Sequence, residues 1–115
     1  MNLLNQINSP ADLKKVPAEQ IPALCEEIRA FLIENISKTG GHFASNLGAV
    51  ELTVALNRVY DAEVDRIVFD VGHQAYVHKM ISGRKEQFST LRKFNGLSGY
   101  PKPNESNCDA FILIS

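Results

Sequence analysis

The run Ile67-Val68-Phe69 leads directly into Asp70-Val71-Gly72-His73-Gln74-Ala75-Tyr76, and this junction constrains the fold more than any other feature of the chain. A short run of β-branched and aromatic residues predicts a strand over 66–70, and its continuous apolar character is typical of a parallel sheet that is covered on both faces. A helical pattern follows directly. In open α/β sheets ligands bind at the carboxyl ends of strands, so His73 lies where a binding site is expected.

A second corner of the same kind lies at 40–46, with the sequence Gly-Gly-His-Phe-Ala-Ser-Asn. Glycines let the backbone approach a ligand closely, and His42 follows them directly. Histidine titrates near neutral pH and can donate a hydrogen bond, so two histidines at two such corners suggest one functional site. A plainer interpretation stays open for each of them: His73 closes its corner by bonding a backbone carbonyl, and His42 lies exposed between two capped helices.

Helical periodicity predicts the elements around these corners. Apolar residues at spacings of three and four predict a helix over 21–38, which the glycine pair 40–41 ends. A second helix is expected over 47–60, with Ser45 or Asn46 as its N-terminal cap. The apolar residues of that helix lie nearly all the way round it, which predicts burial on more than one side.

The rest of the chain is predicted to continue in the same style. A helix is expected over 74–82, ended by Gly83, then a short amphipathic helix over 86–93, a long turn-rich loop over 95–108 and a strand over 109–115. Helices that alternate with strands predict an α/β fold, in which helices pack on a parallel sheet. Two strands leave that sheet incomplete, and a chain that stops on an apolar strand fits part of a larger domain.

Composition and charge exclude several classes of protein. A formal net charge of −1 gives no basic surface for a nucleic-acid partner. The longest apolar runs reach about five residues, too short to span a membrane. Two cysteines, Cys25 and Cys108, are too few for a disulfide framework and match no zinc pattern, so a cytoplasmic setting is expected.

The remaining polar residues carry plainer expectations. His78 follows His73 by five residues, so the two do not share a helix face, and no metal site built by this chain is expected. Lys79, Arg84 and Lys85 form a small basic group. We interpret that group as solvated surface, with contact to a phosphate as the alternative.

Three segments of the chain, taken together and in order, resemble the sequence motifs of a known family, although no single residue among them would identify it. They read Gly-Gly-His-Phe-Ala-Ser-Asn-Leu-Gly-Ala-Val-Glu-Leu-Thr-Val-Ala-Leu at 40–56, Phe-Asp-Val-Gly-His-Gln-Ala-Tyr-Val-His-Lys at 69–79 and Gly-Leu-Ser-Gly-Tyr-Pro-Lys at 96–102. Together they resemble the signatures of the 1-deoxy-D-xylulose-5-phosphate synthase family. The resemblance extends over about residues 3 to 113, in order and without obvious gaps.

The resemblance implies a thiamine-diphosphate-dependent transferase of the transketolase type, so residues 1–115 are expected to form part of a transketolase-like diphosphate-binding domain. The family condenses pyruvate with glyceraldehyde 3-phosphate, with decarboxylation, and its product feeds isoprenoid and thiamine synthesis. The resemblance implies that His73 contacts thiamine diphosphate. It implies that His42, beside the reacting carbon, assists proton transfer or steadies the pyruvate-derived intermediate, and that Ser45 lies in the same pocket. A diphosphate favours such donors near helix N-termini, and a tunable acid suits the reacting carbon.

The resemblance also implies which partners lie elsewhere. The family's Gly-Asp-Gly segment and downstream Asn, which hold magnesium, and its pyrimidine-binding domain are not among these 115 residues. The complete enzyme is expected to be a cytoplasmic homodimer with no nucleic-acid or membrane partner. We expect this chain alone to have no synthase activity. The alternative is a non-enzymatic truncated or split-gene product that acts as a partner-binding subunit or is a remnant.

Overall fold

The computed structural model describes residues 3–39, 44–61, 63–65, 67 and 75–109, and for 37–39, 44 and 45 it describes the backbone alone. Within these ranges the chain forms five α-helices: α1 (Pro10–Lys14), α2 (Ile21–Thr39), α3 (Ala44–Gly48), α4 (Val50–Val59) and α5 (Tyr76–Lys79). Short 3₁₀ turns and one π-helical turn complete them, at Leu4–Gln6, Ala18–Gln20, Met80–Arg84 (the π turn) and Lys85–Thr90. Helix α4 packs against α1, α2 and α5 and so lies at the centre of the described elements.

The N-terminal helices form as their sequences predict. The Asp12 N–H donates to Ser9 Oγ at 3.4 Å, and Pro10 occupies the first helical position of α1, where a missing N–H costs nothing. The apolar stripe of α2 is buried at Leu24, Ile28 and Leu32. The helix predicted over 21–38 is therefore confirmed.

The helix predicted over 47–60 is wrong in two respects. It is divided into α3 and α4 by a turn at Ala49, and Asn46 lies inside α3 rather than capping a helix. Gly48 is a weak helix former, and the Asn46 side chain accepts a distant backbone N–H, so the two helices need not be continuous. Burial is also one-sided, since Leu52 is 63% and Val59 72% exposed. Among the described residues, none covers that outer face of α4.

The predicted parallel sheet falls almost entirely outside the described residues. Its strands were expected over 66–70 and 109–115, of which the structure describes only Ile67 and Asp109, and neither lies in a strand. All regular elements in the described part of the chain are helical. The sheet therefore stays a prediction.

Helix α5 continues into the π turn and ends at Gly83, as the sequence predicts, because Gly83 has a φ of 103° that few other residues adopt. The helix expected over 86–93 is a shorter 3₁₀ turn that ends at Thr90. Phe88 and Leu91 are nevertheless both buried. Phe88 packs edge-to-face on Phe31 and on Tyr76, with ring centroids 5.6 and 6.1 Å away.

Replacement by alanine is expected to have opposite effects on stability at two of the glycines. A Cβ at Gly83 would lie 2.7 Å from the Asn8 carbonyl oxygen, on a backbone with positive φ, whereas a Cβ at Gly48 would meet nothing within 4 Å. We expect Gly83→Ala to lower the free energy of unfolding by about 2 kcal/mol or more. Gly48→Ala should raise it by about 0.5–1 kcal/mol, since alanine is the better helix former. Urea unfolding of the two variants tests this, and a loss at Gly48 or a gain at Gly83 contradicts it.

Candidate functional site

The residues proposed from sequence for the site lie mostly outside the described part of the chain. His42 and His73 are both outside it, and Ser45 lies in α3 with only its backbone described. The interpretation of Ser45 as a helix cap is wrong, because it is the second residue of α3. The described side chains nearest to the two histidines along the chain are those of Asn46 and of the residues from Ala75 onward, which directly follow the undescribed part of each corner.

A buried hydrogen bond joins the two corners. The Tyr76 N–H donates to Asn46 Oδ1 at 3.0 Å, and both residues are fully buried. Asn46 is the last residue of the corner that contains His42, and Tyr76 is the last residue of the corner that contains His73. A buried N–H without a partner costs free energy, so this bond fixes the start of α5 against α3.

The third segment of the resemblance, at 96–102, also packs on Tyr76. Gly99 is buried, and a Cβ placed on it would lie 3.8 Å from the Tyr76 hydroxyl and 3.4 Å from Cγ of Arg92. Tyr76 thus contacts Asn46 through its backbone and approaches Gly99 with its side chain. Three sequence segments separated by at least 12 residues therefore meet at this tyrosine, which belongs to the second of them.

A cluster of buried ion pairs forms hydrogen bonds with the backbone of the loop that follows the last helical turn. The Glu105 carboxylate accepts from Lys79 Nζ at 2.5 Å and from Arg84 Nη1 at 2.9 Å through Oε1, and from the Ser98 N–H at 2.7 Å through Oε2. Asp109 pairs with Arg84 through both oxygens, at 2.6 and 2.8 Å, and its Oδ2 accepts the Lys102 N–H at 2.7 Å. Two carboxylates therefore connect buried cations to the loop backbone.

The buried charges shift one another's pKa values. Burial alone would raise the pKa of Asp109, but hydrogen bonds from Arg84 and from the Lys102 N–H outweigh it, and the pKa lies below its ordinary value. Burial lowers the pKa of Lys79, although its bond to Glu105 opposes this. Burial also opposes the charge on Arg84, but its bonds to Asp109 raise its pKa further. Asp109 and Arg84 are thus held ionised as a pair.

The basic group at 79, 84 and 85 is not solvated surface, and that interpretation is wrong. Lys79, Arg84 and Lys85 are all buried. Lys85 Nζ donates to the Ile7 carbonyl and to Asn8 Oδ1, and the other two cations are paired with carboxylates. All three cations have partners within the molecule, because a buried cation without a partner would cost free energy of folding.

His78 lies beside this cluster as a neutral, structural histidine. Its Nε2 lies 2.8 Å from the Cys108 carbonyl oxygen, and its Nδ1 lies 3.2 Å from the Asn57 amide nitrogen. A carbonyl requires a donor and an amide N–H requires an acceptor, so these contacts assign the proton to Nε2. Burial lowers the pKa of His78 below its ordinary value of 6.5, with Arg84 and Lys79 adding to the effect and Asp109 opposing it.

The lowered pKa of His78 predicts destabilisation by acid. The unfolded chain takes up a proton at about pH 6.5 and the folded chain only at lower pH, so stability falls as the pH decreases below 6.5. Replacing His78 by Gln removes this titration and keeps a donor for the Cys108 carbonyl. We expect the difference in unfolding free energy between parent and His78→Gln to shrink or reverse in the variant's favour from about pH 7.5 to about pH 5.5. A difference that is independent of pH contradicts the prediction.

An open cleft of about 430 Å³ lies along the turn that precedes and includes the third segment. Three cationic side chains line it, and no acidic side chain is among its lining residues: Arg92, Lys93, Asn95, Gly96, Leu97, Ser98, Gly99, Tyr100 and Lys102. Glu105 and Asp109 accept the N–H groups of the lining residues Ser98 and Lys102, but their charges are paired with the buried Lys79 and Arg84. The cleft therefore favours an anionic occupant.

The described residues position groups rather than ligate a metal. No three His, Cys, Asp or Glu side chains in the described ranges are placed to hold a metal ion. Cys25 and Cys108 are free and buried, and burial raises the pKa of each thiol. No helix among the described residues is long and apolar enough to span a membrane.

Sequence reasoning missed the residues that hold the site together. The sequence pattern offers Ser45 or Asn46 as a helix cap, and it gives no indication that Arg84 pairs with Glu105 and Asp109. These partners lie 21 to 30 residues apart along the chain, so no local pattern identifies them. The one available signal is a carboxylate, Glu105, within the predicted turn-rich loop that also carries the third segment, with Asp109 directly after that loop.

Comparison with known proteins accounts for this convergence of segments. Residues 4–113 match the family model described as 1-deoxy-D-xylulose-5-phosphate synthase. The chain is 60% identical over 109 residues to the 1-deoxy-D-xylulose-5-phosphate synthase 1 of Geobacter sulfurreducens, covering 95% of this chain and 17% of the relative. It is 62% identical over 109 residues to the synthase of Caldanaerobacter subterraneus subsp. tengcongensis, with 95% and 18% covered.

The match takes in nearly all of this chain but less than a fifth of the length of those relatives. All three segments that converge on Tyr76 fall within the matched range. The chain therefore belongs to the 1-deoxy-D-xylulose-5-phosphate synthase family and corresponds to the N-terminal part of that enzyme.

Proposed function

We propose that this chain supplies the N-terminal part of a thiamine diphosphate site in a synthase that condenses pyruvate with glyceraldehyde 3-phosphate. The observation that carries the proposal is the hydrogen bond between the Tyr76 N–H and Asn46 Oδ1. His73 precedes Tyr76 by three residues and His42 precedes Asn46 by four, so the bond joins the ends of the two segments that carry the proposed site histidines. The cationic cleft beside Gly99 suits a phosphate-bearing substrate.

The proposal assigns a role to each site residue. His73 contacts the diphosphate of the cofactor, and Ser45 adds a donor in the same pocket. His42 holds or moves a proton beside the reacting carbon, for which a histidine is suited near neutral pH. Thiamine diphosphate, when bound, supplies the stabilisation of negative charge on carbon that these side chains do not.

Other parts of the proposal rest on the family alone. Magnesium would be held by residues outside this chain. The parallel sheet, the transketolase-like domain that contains it and a homodimeric, cytoplasmic enzyme belong to the proposal as well.

A chimera tests the proposal. Residues 4–113 replace the matching segment of the Caldanaerobacter synthase, which shares 62% of its residues over this region. We expect product from pyruvate and glyceraldehyde 3-phosphate, and a kcat that falls by about 10²- to 10⁴-fold in His42→Gln, because a general acid–base group is lost. His73→Gln should weaken binding of thiamine diphosphate in a titration. A folded chimera without activity, or a His42→Gln variant with the parent kcat, contradicts the proposal.

The 115-residue chain assayed alone is expected to form no product, because it spans less than a fifth of its relatives' length. Product from the purified chain contradicts that expectation. The comparisons do not favour the alternative of a non-enzymatic subunit or remnant. That alternative predicts an inactive chimera, so the same assay separates the two.

A further inference from the structure

The two oxygens of Glu105 have different partners. Oε1 accepts from Lys79 Nζ and Arg84 Nη1, which belong to α5 and the π turn after it. Oε2 accepts from the Ser98 N–H at 2.7 Å, in the segment at 96–102. One carboxylate therefore connects the helix that follows the His73 corner to the third segment of the site.

Asp109, four residues after Glu105 in the chain, has a similar arrangement of partners. It pairs with Arg84 through both oxygens, and its Oδ2 accepts the Lys102 N–H at 2.7 Å. The segment between Ser98 and Lys102 is thus fastened at both ends by carboxylates. Each of those carboxylates is itself held by a buried cation, Arg84 in both cases and Lys79 for Glu105.

Between the two fastened amides lies Gly99, against the Tyr76 hydroxyl. Tyr76 is also the residue whose N–H binds Asn46 at the end of the His42 corner. A displacement of the segment at 96–102 would therefore also shift Tyr76, and with it the hydrogen bond to Asn46 that joins the two histidine corners. The cationic cleft is lined by the same segment, so its shape depends on these two fastenings as well.

We propose that Glu105 is a positioning residue for the synthase reaction, which fixes Ser98 and the cleft-lining segment relative to the His42 and His73 corners. The inference rests on the proposed function. Glu105 itself touches no reacting group and acts through the Ser98 N–H. Well-oriented groups account for large rate factors, and a misplacement of about 1 Å can reduce a rate by about 100-fold.

A carboxylate that serves stability alone makes a different prediction, and three variants separate the two roles. Glu105→Ala removes both the charge and the acceptor for the Ser98 N–H. Lys79→Met breaks one of the two ion pairs of Glu105, but Arg84 still holds Oε1 and the acceptor for the Ser98 N–H stays in place. Glu105→Gln removes the charge and keeps an oxygen that can accept from Ser98.

Hydrogen exchange on the 115-residue chain tests the fastening itself. We expect Glu105→Ala to accelerate exchange of the Ser98 amide by about tenfold or more relative to the Lys102 amide, which Asp109 still protects. Equal acceleration at both amides reports general loosening and contradicts a specific fastening. Unchanged exchange at Ser98 contradicts it too.

Kinetics of the chimera test the positioning role. We expect Glu105→Ala to lower kcat by about tenfold or more, with the Kd for thiamine diphosphate changed by less than about threefold. Lys79→Met and Glu105→Gln should keep kcat within about threefold of the parent, even where the unfolding midpoint falls. Equal losses of kcat in Glu105→Ala and Lys79→Met, or an unchanged kcat in Glu105→Ala, contradict the positioning role. A chimera that is inactive before any substitution contradicts the proposed function instead.

Discussion

Replacing Arg84 with Met is expected to lower the free energy of unfolding by about 3–5 kcal/mol, the usual cost of leaving a buried charge without its partner. The Arg84 side chain is only 6% exposed, and it pairs with both oxygens of Asp109 and with Glu105. Asp109 has a side chain with no exposure at all. Without the guanidinium, burial is opposed only by the weaker partners of Asp109, so its pKa should rise and the variant should lose further stability toward neutral pH.

Urea unfolding of the variant measures this loss, with Lys93→Met as the control. Lys93 is exposed, so its replacement should change stability by less than about 0.5 kcal/mol. Where Arg84→Met fails to fold, the double variant with Asp109→Leu removes the unpaired carboxylate and should recover part of the loss. Equal stabilities for the Arg84 and Lys93 variants, or no recovery in the double variant, would show that the pair is not buried as described.

Replacing Phe88 with Ala is expected to lower the free energy of unfolding by a similar amount, about 3–5 kcal/mol, because apolar burial is lost and a cavity remains. Phe88 is 1% exposed and lies edge-to-face on Phe31 and Tyr76. Its ring supports the tyrosine on which the three segments converge. We therefore expect the exchange of the Tyr76 amide, bound to Asn46, to accelerate together with the loss of stability.

Phe94 provides a matched control for that substitution. It is 94% exposed, so Phe94→Ala should change the free energy of unfolding by less than about 0.5 kcal/mol. Phe88→Leu, which keeps most of the apolar volume, should have a smaller loss than Phe88→Ala. Thermal and urea unfolding of the three variants give the comparison, and a Phe94→Ala loss as large as that of Phe88→Ala would contradict the packing.

Local patterns predicted the elements whose stability is local. The stripe of α2 and the end of the predicted helix at Gly83 follow from apolar spacing and from positive φ, which are properties of a few neighbouring residues. The division at Ala49 could not be predicted in this way. Asn46 has the side chain of a helix cap, but its Oδ1 accepts the N–H of Tyr76, which lies 30 residues away.

The family follows from the residue pattern alone, because three segments in register match the synthase family over residues 4–113. The burial of Lys79 and Arg84 beside carboxylates follows only from the folded arrangement of the chain. A charge is stable in the interior only beside an opposite charge, and Glu105 and Asp109, which provide it, lie more than 20 residues further along the chain. Local sequence patterns do not show contacts between residues so far apart. In the folded chain Glu105 and Asp109 lie beside the two cations, and their hydrogen bonds hold the third segment beside Tyr76.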